Sequence, residues 1–395
     1  LRINASIAHM RKANYSAFAP DGSSIAFLGT PGPWEADLYI ANVSDGEVRR
    51  LAGVEGQGAG IAWSRDGREV IVGRFTPLKI RSMLRVRVSD GRASEVAVGD
   101  NPSQPTISRE GERLIFSEQS MRYDIGRYST SESGEALDEA FVQSTRFDGN
   151  PQYSPDGDRI AFSSARSGQI EIWVGDADGA NALQLTSIGD AGSPRWSPDG
   201  TRIAFDSTAE GSADIYVVGA KGGVLERLTE SPSEDVVPAW SPDGRWIYFA
   251  SDRSGDTQIW RTSALAGVEQ PATRITKQGG FYPAVSESGE FLYYSRERGR
   301  ESSLWRMRLP DGEPEQVLPE LRAGWGNWQL AASGVYFLDV QEGRLPGEPP
   351  TWVLRSLDLR SGEIRKVRDL LVPPDPSEPT VGGPGLSVSP DGAYT

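Results

Sequence analysis

The sequence predicts an all-β protein of the β-propeller class, built from four-stranded antiparallel blades. Three observations predict it: a turn sequence that recurs about every 45 residues, apolar residues that alternate after each turn, and a composition rich in glycine, proline and aromatic residues. A period of about 40 to 45 residues is typical of four-stranded propeller blades. No long amphipathic helix pattern competes with this interpretation.

The recurring turn ends in glycine, and its clearest copies read Ser-Pro-Asp-Gly, as at 154–157, 197–200 and 241–244. Proline presets φ for the first turn position, aspartate tolerates the second, and glycine takes the left-handed conformation that a hairpin bulge needs. Successive glycines are 45, 44, 46, 43, 44, 45, 45 and 58 residues apart. They are Gly22, Gly67, Gly111, Gly157, Gly200, Gly244, Gly289, Gly334 and Gly392.

Each turn is followed by a strand pattern in which every second residue is apolar, as in Ile203/Phe205 and Ile247/Phe249. This period of two predicts one buried face. A polar turn, a third strand (258–261) and a fourth strand (225–228 in the preceding repeat) complete a blade. The phenylalanines predicted to lie in blade cores are Phe27, Phe116, Phe162, Phe205, Phe249 and Phe337.

We expect a single propeller over residues 1–395, with eight blades, and we expect the sequence to be part of a longer chain because it opens without methionine and ends three residues after Gly392. Residues 2–8 could supply an outer strand to the last blade. An alternative division makes Gly111 to Gly392 a seven-bladed ring and assigns the first two repeats to a preceding propeller.

Composition excludes several classes of function. There is no cysteine and one histidine, His9, so disulfides, thiolate metal sites and Ser-His-Asp catalysis are not expected, and we predict no metal and no cofactor. The formal charge of −14 repels phosphate backbones, so nucleic acid is not an expected partner. No apolar run approaches the roughly 18 residues that would span a bilayer, so this segment is not expected to insert into a membrane.

Most polar motifs have a structural interpretation. The Asp-Gly pairs recur with the period, so turn formation explains them. Asp176-Ala-Asp178-Gly179 resembles part of a calcium loop but lacks the later ligands, which favours a hairpin turn. Arg166, Arg253 and Arg296 follow the second strand in similar places, as expected for solvated loops or rim salt bridges.

Candidate binding residues lie in the loops that lead into the inner strands, at 187–193, 230–237, 277–283 and 321–328. Aromatic residues beside charges on exposed loops are typical of an interface. The alternative is that Phe281, Trp325 and Trp328 fill the central channel or pack between blades. The predicted binding residues are Asp190, Glu234, Asp235, Phe281, Tyr282, Arg322, Trp325 and Trp328.

The repeat resembles the TolB-type β-propeller repeat of bacteria, through aromatic-Ser-Pro-Asp-Gly-x-x-Ile-Ala-Phe, then Ile-Trp/Tyr-Val, then Leu-Thr, most closely over residues 150–260. More narrowly, Asn150-Pro-Gln-Tyr-Ser-Pro-Asp-Gly, Asp235-Val-Val-Pro-Ala-Trp and Gly385-Leu-Ser-Val-Ser-Pro-Asp-Gly resemble large bacterial regulators. Those regulators join a winged-helix DNA-binding domain, usually through a membrane helix, to a TolB-like propeller.

The resemblance implies a periplasmic, non-catalytic sensing or docking domain that binds a protein or peptide, tethered to the inner membrane through an N-terminal segment outside this sequence. The acidic charge indicates a basic partner. The alternative is the gating propeller of a prolyl-oligopeptidase-type serine peptidase whose hydrolase domain lies outside this sequence.

Overall fold

The structure, a computed structural model, describes residues 12–32, 35–75, 81–99, 102–108, 113–118, 124–130, 138–265, 271–297, 302–322, 324, 326–332, 334–341, 351–370 and 385–392. Within these ranges every regular element is a β-strand. Among the described residues, none forms a helix with the length and apolar character that a membrane crossing requires. The chain divides into two compact units, an N-terminal unit (Leu1–Met121) and a C-terminal unit (Arg122–Thr395).

The described residues of the N-terminal unit form ten strands. They are β1 (Lys12–Phe18), β2 (Ser24–Gly32), β3 (Glu35–Asn42), β4 (Val48–Glu55), β5 (Gln57–Trp63), β6 (Glu69–Phe75), β7 (Arg81–Arg87), β8 (Ala93–Val96), β9 (Pro102–Ile107) and β10 (Leu114–Glu118).

The C-terminal unit contains the remaining strands of the described chain. They are β11 (Ile125–Arg127), β12 (Asp138–Val142), β13 (Asp148–Tyr153), β14 (Arg159–Ser164), β15 (Glu171–Asp176), β16 (Leu183–Gln184), β17 (Ala191–Trp196), β18 (Arg202–Ser207), β19 (Asp214–Gly219), β20 (Glu226–Arg227), β21 (Asp235–Trp240), β22 (Trp246–Ser254), β23 (Asp256–Ser263), β24 (Thr273–Arg274), β25 (Phe281–Val285), β26 (Phe291–Ser295), β27 (Ser302–Arg308), β28 (Glu315–Leu321), β29 (Trp328–Ala331), β30 (Gly334–Gln341), β31 (Thr351–Leu357) and β32 (Ile364–Leu370).

The sheets are antiparallel meanders in which each strand pairs with the next one in the chain. Those beginning at β1, β5, β13, β17, β21, β25 and β29 have four strands each, whereas β9–β10 and β11–β12 form two-stranded sheets among the described residues. This confirms the predicted propeller class of four-stranded antiparallel blades. The predicted count of eight blades and the single domain over 1–395 stay predictions.

The recurring turn is held by its own serine. The backbone N–H of Arg159 donates to Ser154 Oγ (3.0 Å), and the N–H of Gly157 donates to the Ser154 carbonyl (2.9 Å). Arg202 and Ser197 repeat the first bond at 2.9 Å. Gly157 has φ +77°, which a residue with a Cβ rarely adopts, so the glycine of the motif is required by geometry. Gly111 lies outside the described residues.

Blade cores contain five of the six predicted phenylalanines. Phe162, Phe205 and Phe249 are fully buried, and Phe27 and Phe337 are almost so. Phe116, on the two-stranded sheet β9–β10, is only half-buried. The alternation was therefore assigned to the correct face.

Neighbouring blades are joined through the tryptophan that precedes the turn. Trp196 Nε1 donates to the carbonyl of Gln152 (3.1 Å), and Trp240 Nε1 donates to the carbonyl of Arg195 (3.0 Å). Each acceptor lies on the inner strand of the preceding blade. A buried indole N–H needs an acceptor, so this bond fixes how one blade sits against the next.

The last described segment, Gly385–Gly392, lies between the inner strands β29 and β13 of the C-terminal unit. The N–H of Tyr153 donates to Ser387 Oγ (3.2 Å), and the N–H of Val388 donates to Gln329 Oε1 (2.7 Å). Thr130 Oγ1 also donates to the carbonyl of Gly392, which links the segment to the part of the chain that follows β11. The segment thus links the inner strands β29 and β13 and closes the circuit of inner strands in the C-terminal unit.

Candidate functional site

Each inner strand of the C-terminal unit runs between two faces. The loop face comprises the connections into inner strands (187–190, 230–234, 277–280) and the places where a second strand turns into the third (208–213, and 252–256 at the joined ends of β22 and β23). The turn face carries the Ser-Pro-Asp-Gly turns. Two bonds tie the loops of the first face together: Asp235 N–H donates to the Ala213 carbonyl (2.8 Å), and Glu234 N–H donates to Asp252 Oδ1 (3.0 Å).

Exposed carboxylates concentrate on the loop face of the blades β17–β20 and β21–β24. Their side chains belong to Glu210, Glu230, Glu234, Asp252 and Asp256. The charge of the chain is unevenly divided, since residues 1–121 carry 15 Lys+Arg against 14 Asp+Glu and residues 122–395 carry 26 against 41. The acidic character therefore belongs to the C-terminal unit.

Asp235 was predicted to be an exposed binding residue, but it is completely buried. Its Oδ2 lies 2.5 Å from Arg253 Nη2. The Arg253 guanidinium also packs over two rings, 5.3 Å from the centre of the Phe249 ring and 5.1 Å from that of Trp260. Because Asp235 is the first residue of the inner strand β21, its carboxylate is covered by the preceding loop and is not part of the exposed loop surface. Asp235 is thus a structural residue, and the exposed acidic side chain beside it is that of Glu234.

The other two arginines expected in solvated loops or rim salt bridges, Arg166 and Arg296, make comparable contacts. Arg166 pairs with buried Asp148 at 2.8 Å, in the position that Arg253 takes with Asp235. Arg296 donates from Nε to the Gln278 carbonyl at 2.9 Å and stacks on Trp305 at 4.2 Å. These side chains fasten the start of an inner strand to the end of the second strand.

Three predicted binding aromatics are buried as well. Phe281 and Tyr282 begin β25, Trp328 begins β29, and none is more than 5% exposed. The Tyr282 and Trp328 rings meet edge to face at 5.2 Å, and Trp328 Nε1 donates to Ser295 Oγ (2.8 Å). The predicted alternative, in which these aromatic residues fill the channel or pack between blades, therefore describes them better than exposure on a binding loop does. Residues that begin inner strands face neighbouring blades and the channel.

The other predicted site residues differ in exposure. Glu234 and Arg322 are exposed and Asp190 is half-buried. Arg322 Nε lies 3.1 Å from Glu320 Oε2, and Thr208 Oγ1 donates to Asp190 Oδ2 (3.3 Å). Trp325 and His9 lie outside the described residues. The structure brings Glu234 close to Asp252, while Arg322 belongs to a different blade.

Sequence reasoning missed Arg195, whose side chain crosses the inside of the C-terminal unit. Arg195 Nη2 donates to Tyr282 Oη (2.8 Å), although β17 and β25 belong to blades separated by the blade β21–β24. Burial raises the pKa of Tyr282, and the positive charge of Arg195 acts in the opposite direction. The sequence contains a signal for this residue, because the other repeats have an uncharged residue at the position that Arg195 occupies.

No group of three His, Cys, Asp or Glu side chains converges on a metal-binding geometry within the described ranges.

Residues 3–187 and 151–323 match the family model of the TolB beta propeller domain. Among solved structures, TolB from Acinetobacter baumannii is 18% identical over 74% of this chain and 65% of its own, with a TM-score of 0.36. A putative TolB from Agrobacterium tumefaciens is 19% identical over 92% of this chain and 97% of its own (TM-score 0.35). A puromycin-hydrolyzing peptidase from Mycobacterium tuberculosis is 15% identical over 94% of this chain and 55% of its own (TM-score 0.43).

Proposed function

Because the chain belongs to the TolB beta propeller domain family, we propose that it is a non-catalytic module that docks a protein or peptide on the loop face of its C-terminal unit. The observation that carries this proposal is the set of exposed carboxylates on the loop face of two adjacent blades, namely Glu210, Glu230, Glu234, Asp252 and Asp256. The partner is a basic polypeptide.

Loop variety favours this face over the other one. The connections into inner strands differ in sequence from blade to blade, as 187–190 (Ser-Ile-Gly-Asp) and 277–280 (Lys-Gln-Gly-Gly) illustrate. The turns at 154–157, 197–200, 241–244 and 389–392 are identical. An asymmetric partner needs a surface with a unique register, and loops on a rigid scaffold provide one.

Charge also supports the proposed partner. The C-terminal unit has 15 more acidic than basic residues, so a basic polypeptide is steered toward it and its association rate falls as salt rises. Several arginines of this unit already bind buried carboxylates, as Arg227 does with Asp214 at 2.6 Å. Exposed carboxylates therefore dominate the field at the loop face.

The non-catalytic part of the proposal rests on side-chain chemistry. The chain has no cysteine nucleophile, and His9 is its one side chain whose ordinary pKa suits a general base near neutral pH. We place the module in the periplasm, as part of a bacterial regulator of the winged-helix and TolB-like kind, on the resemblance of residues 150–157, 235–240 and 385–392 to that group.

Site-specific photo-crosslinking tests the proposed docking face. The photoreactive residue p-benzoylphenylalanine replaces Glu234 on the loop face or, as a matched control in the same blade, Arg245 beside the turn Ser241–Gly244. We expect a discrete crosslinked protein or peptide at Glu234 and none at Arg245. Crosslinks of equal yield at both positions, or at Arg245 alone, would contradict the proposal.

A further inference from the structure

We infer that Arg195, held by Tyr282, forms a carboxylate-binding site inside the ring of inner strands. Arg195 is 91% buried, yet it forms no ion pair with any described residue. A guanidinium removed from water without a counter-charge is costly, and proteins normally pair such a group. The missing counter-charge is the observation that points to an anionic ligand.

The contrast with other arginines of the C-terminal unit is direct. Arg166, Arg227 and Arg253 are more exposed than Arg195, at 21 to 29% of their side chains, and each binds a buried aspartate within 2.8 Å. Arg195 instead donates to two uncharged acceptors, the Pro194 carbonyl (2.8 Å) and Tyr282 Oη (2.8 Å). A guanidinium carries five N–H groups, so these two bonds leave donors for a ligand.

The position of Arg195 within the repeat makes it distinctive. The residues that occupy the same place in the other repeats of this unit are uncharged: Gln152, Ala239, Ala284, Gln329 and Ser387. Gln152, Gln329 and Ser387 accept a backbone N–H from the next inner strand, so they act within the scaffold. Arg195 departs from that role and reaches across the blade β21–β24 to β25.

Tyr282 is the positioning residue of this site. It has φ +52° at a point where β25 shifts register, and its ring is fixed edge to face against Trp328. Its phenol oxygen accepts from Arg195, and the Arg195 guanidinium also lies 5.2 Å from the ring centre. A guanidinium held in one plane is suited to the two parallel hydrogen bonds that a carboxylate accepts.

The ligand is therefore a carboxylate, from a polypeptide C-terminus or from an acidic side chain. The inference deepens the proposed function and rests on it, because it takes a polypeptide as the ligand. That partner is basic overall and presents one carboxylate to Arg195. The site can be tested without that partner, so failure here and failure of docking at the loop face are distinguishable.

Calorimetric titration of the full chain with N-acetylglycinate tests the site, with the uncharged N-acetylglycinamide and inorganic phosphate as comparison ligands. We expect saturable binding of N-acetylglycinate alone. Arg195→Gln should weaken it at least about tenfold, since a hydrogen bond to a charged group is lost. Arg202→Gln, which removes another partly buried arginine of the same unit, should leave it unchanged.

Equal binding to wild type and Arg195→Gln, tighter binding of phosphate, or no saturable binding of N-acetylglycinate would overturn the inference. If Arg195→Gln does not fold, Arg195→Lys gives the second variant, because it keeps the charge but loses the planar fork and should bind several-fold more weakly. Two Lys-rich peptides, one with a free C-terminus and no acidic residue and one amidated with an internal Glu, identify the source of the carboxylate.

Discussion

Arg253 and Asp235 bind each other across 18 residues of sequence, with Nη2 and Oδ2 2.5 Å apart and the aspartate fully buried. Arg166 and Asp148 repeat this pair 87 residues earlier. In both, the arginine lies at the end of the second strand of a blade, within β22 for Arg253 and two residues past β14 for Arg166, and the aspartate begins the inner strand. The buried pair therefore joins the first two strands of the blade at their loop-face end.

Asp235→Asn should destabilise the C-terminal unit by about 3 kcal/mol, because it leaves a largely buried guanidinium without its counter-charge. Urea unfolding measures this change. Arg245→Gln is the matched control, since Arg245 lies 4.0 Å from Asp243 and both side chains are more than half exposed. That control should change stability by less than about 1 kcal/mol. Similar losses in the two variants would show that the buried pair has no special weight.

Phe205→Ala should cost about 3 to 5 kcal/mol, since Phe205 is fully buried and stacks on Tyr216 with ring centres 5.7 Å apart. Leu183→Ala provides the control, because Leu183 is 73% exposed and should lose no more than about 0.5 kcal/mol. Both follow from denaturant unfolding. A loss below about 1 kcal/mol for Phe205→Ala would contradict the packing described for this blade.

Acid should destabilise the chain through its turns. A hydrogen bond from the Ser154 hydroxyl, and then one from the Asp158 N–H, hold the pKa of Asp156 below its ordinary value of 3.8. The pKa values of Asp199 and Asp243 are lowered in the same way by Ser197 and Ser241. Because the folded pKa is the lower one, this stabilisation is complete above the unfolded value and is lost as pH falls through the folded value.

We therefore expect the urea midpoint to be constant from pH 7 to about 5 and to decline below about pH 4. Replacing Asp156, Asp199 and Asp243 together by Asn keeps an oxygen that accepts the same hydrogen bonds but removes the titration. The triple variant should show a shallower decline. An unchanged pH dependence would assign acid sensitivity to other carboxylates.

Much of the fold could be predicted because the repeat is local chemistry. The turn Ser154–Gly157 and the alternation around Phe205 depend on residues within one hairpin. This turn-and-strand pattern recurs along the sequence. The separate two-stranded sheets β9–β10 and β11–β12 were not predicted, and the position of Gly385–Gly392 between β29 and β13 depends on residues far apart in the sequence.

The candidate site was harder to predict for a related reason. Asp235, Phe281, Tyr282 and Trp328 were assigned to loops, but the inner strands begin at these residues and bury them. Burial at a strand start depends on the neighbouring blade, which a single repeat does not specify. Glu234 kept its predicted exposure because it precedes the first strand residue.

Closure of the C-terminal unit by Ser387 can be tested by hydrogen exchange. Ser387→Ala removes the acceptor of the Tyr153 N–H, so the Tyr153 amide should exchange about fivefold faster, the equivalent of roughly 1 kcal/mol. Gln152→Ala should instead affect the Trp196 amide, whose acceptor is Gln152 Oε1. Unchanged exchange at Tyr153 in Ser387→Ala would contradict the closure.

The most direct test of docking on the loop face is the dissociation constant of the crosslinked partner for two charge variants, measured by titration at low salt. Glu234→Lys should weaken binding about fivefold or more, because it reverses an exposed charge that faces a basic polypeptide. Asp243→Asn, on the turn face of the same blade, should leave the constant unchanged. Unchanged binding by Glu234→Lys together with weakened binding by Asp243→Asn would place the interface on the turn face and contradict the account.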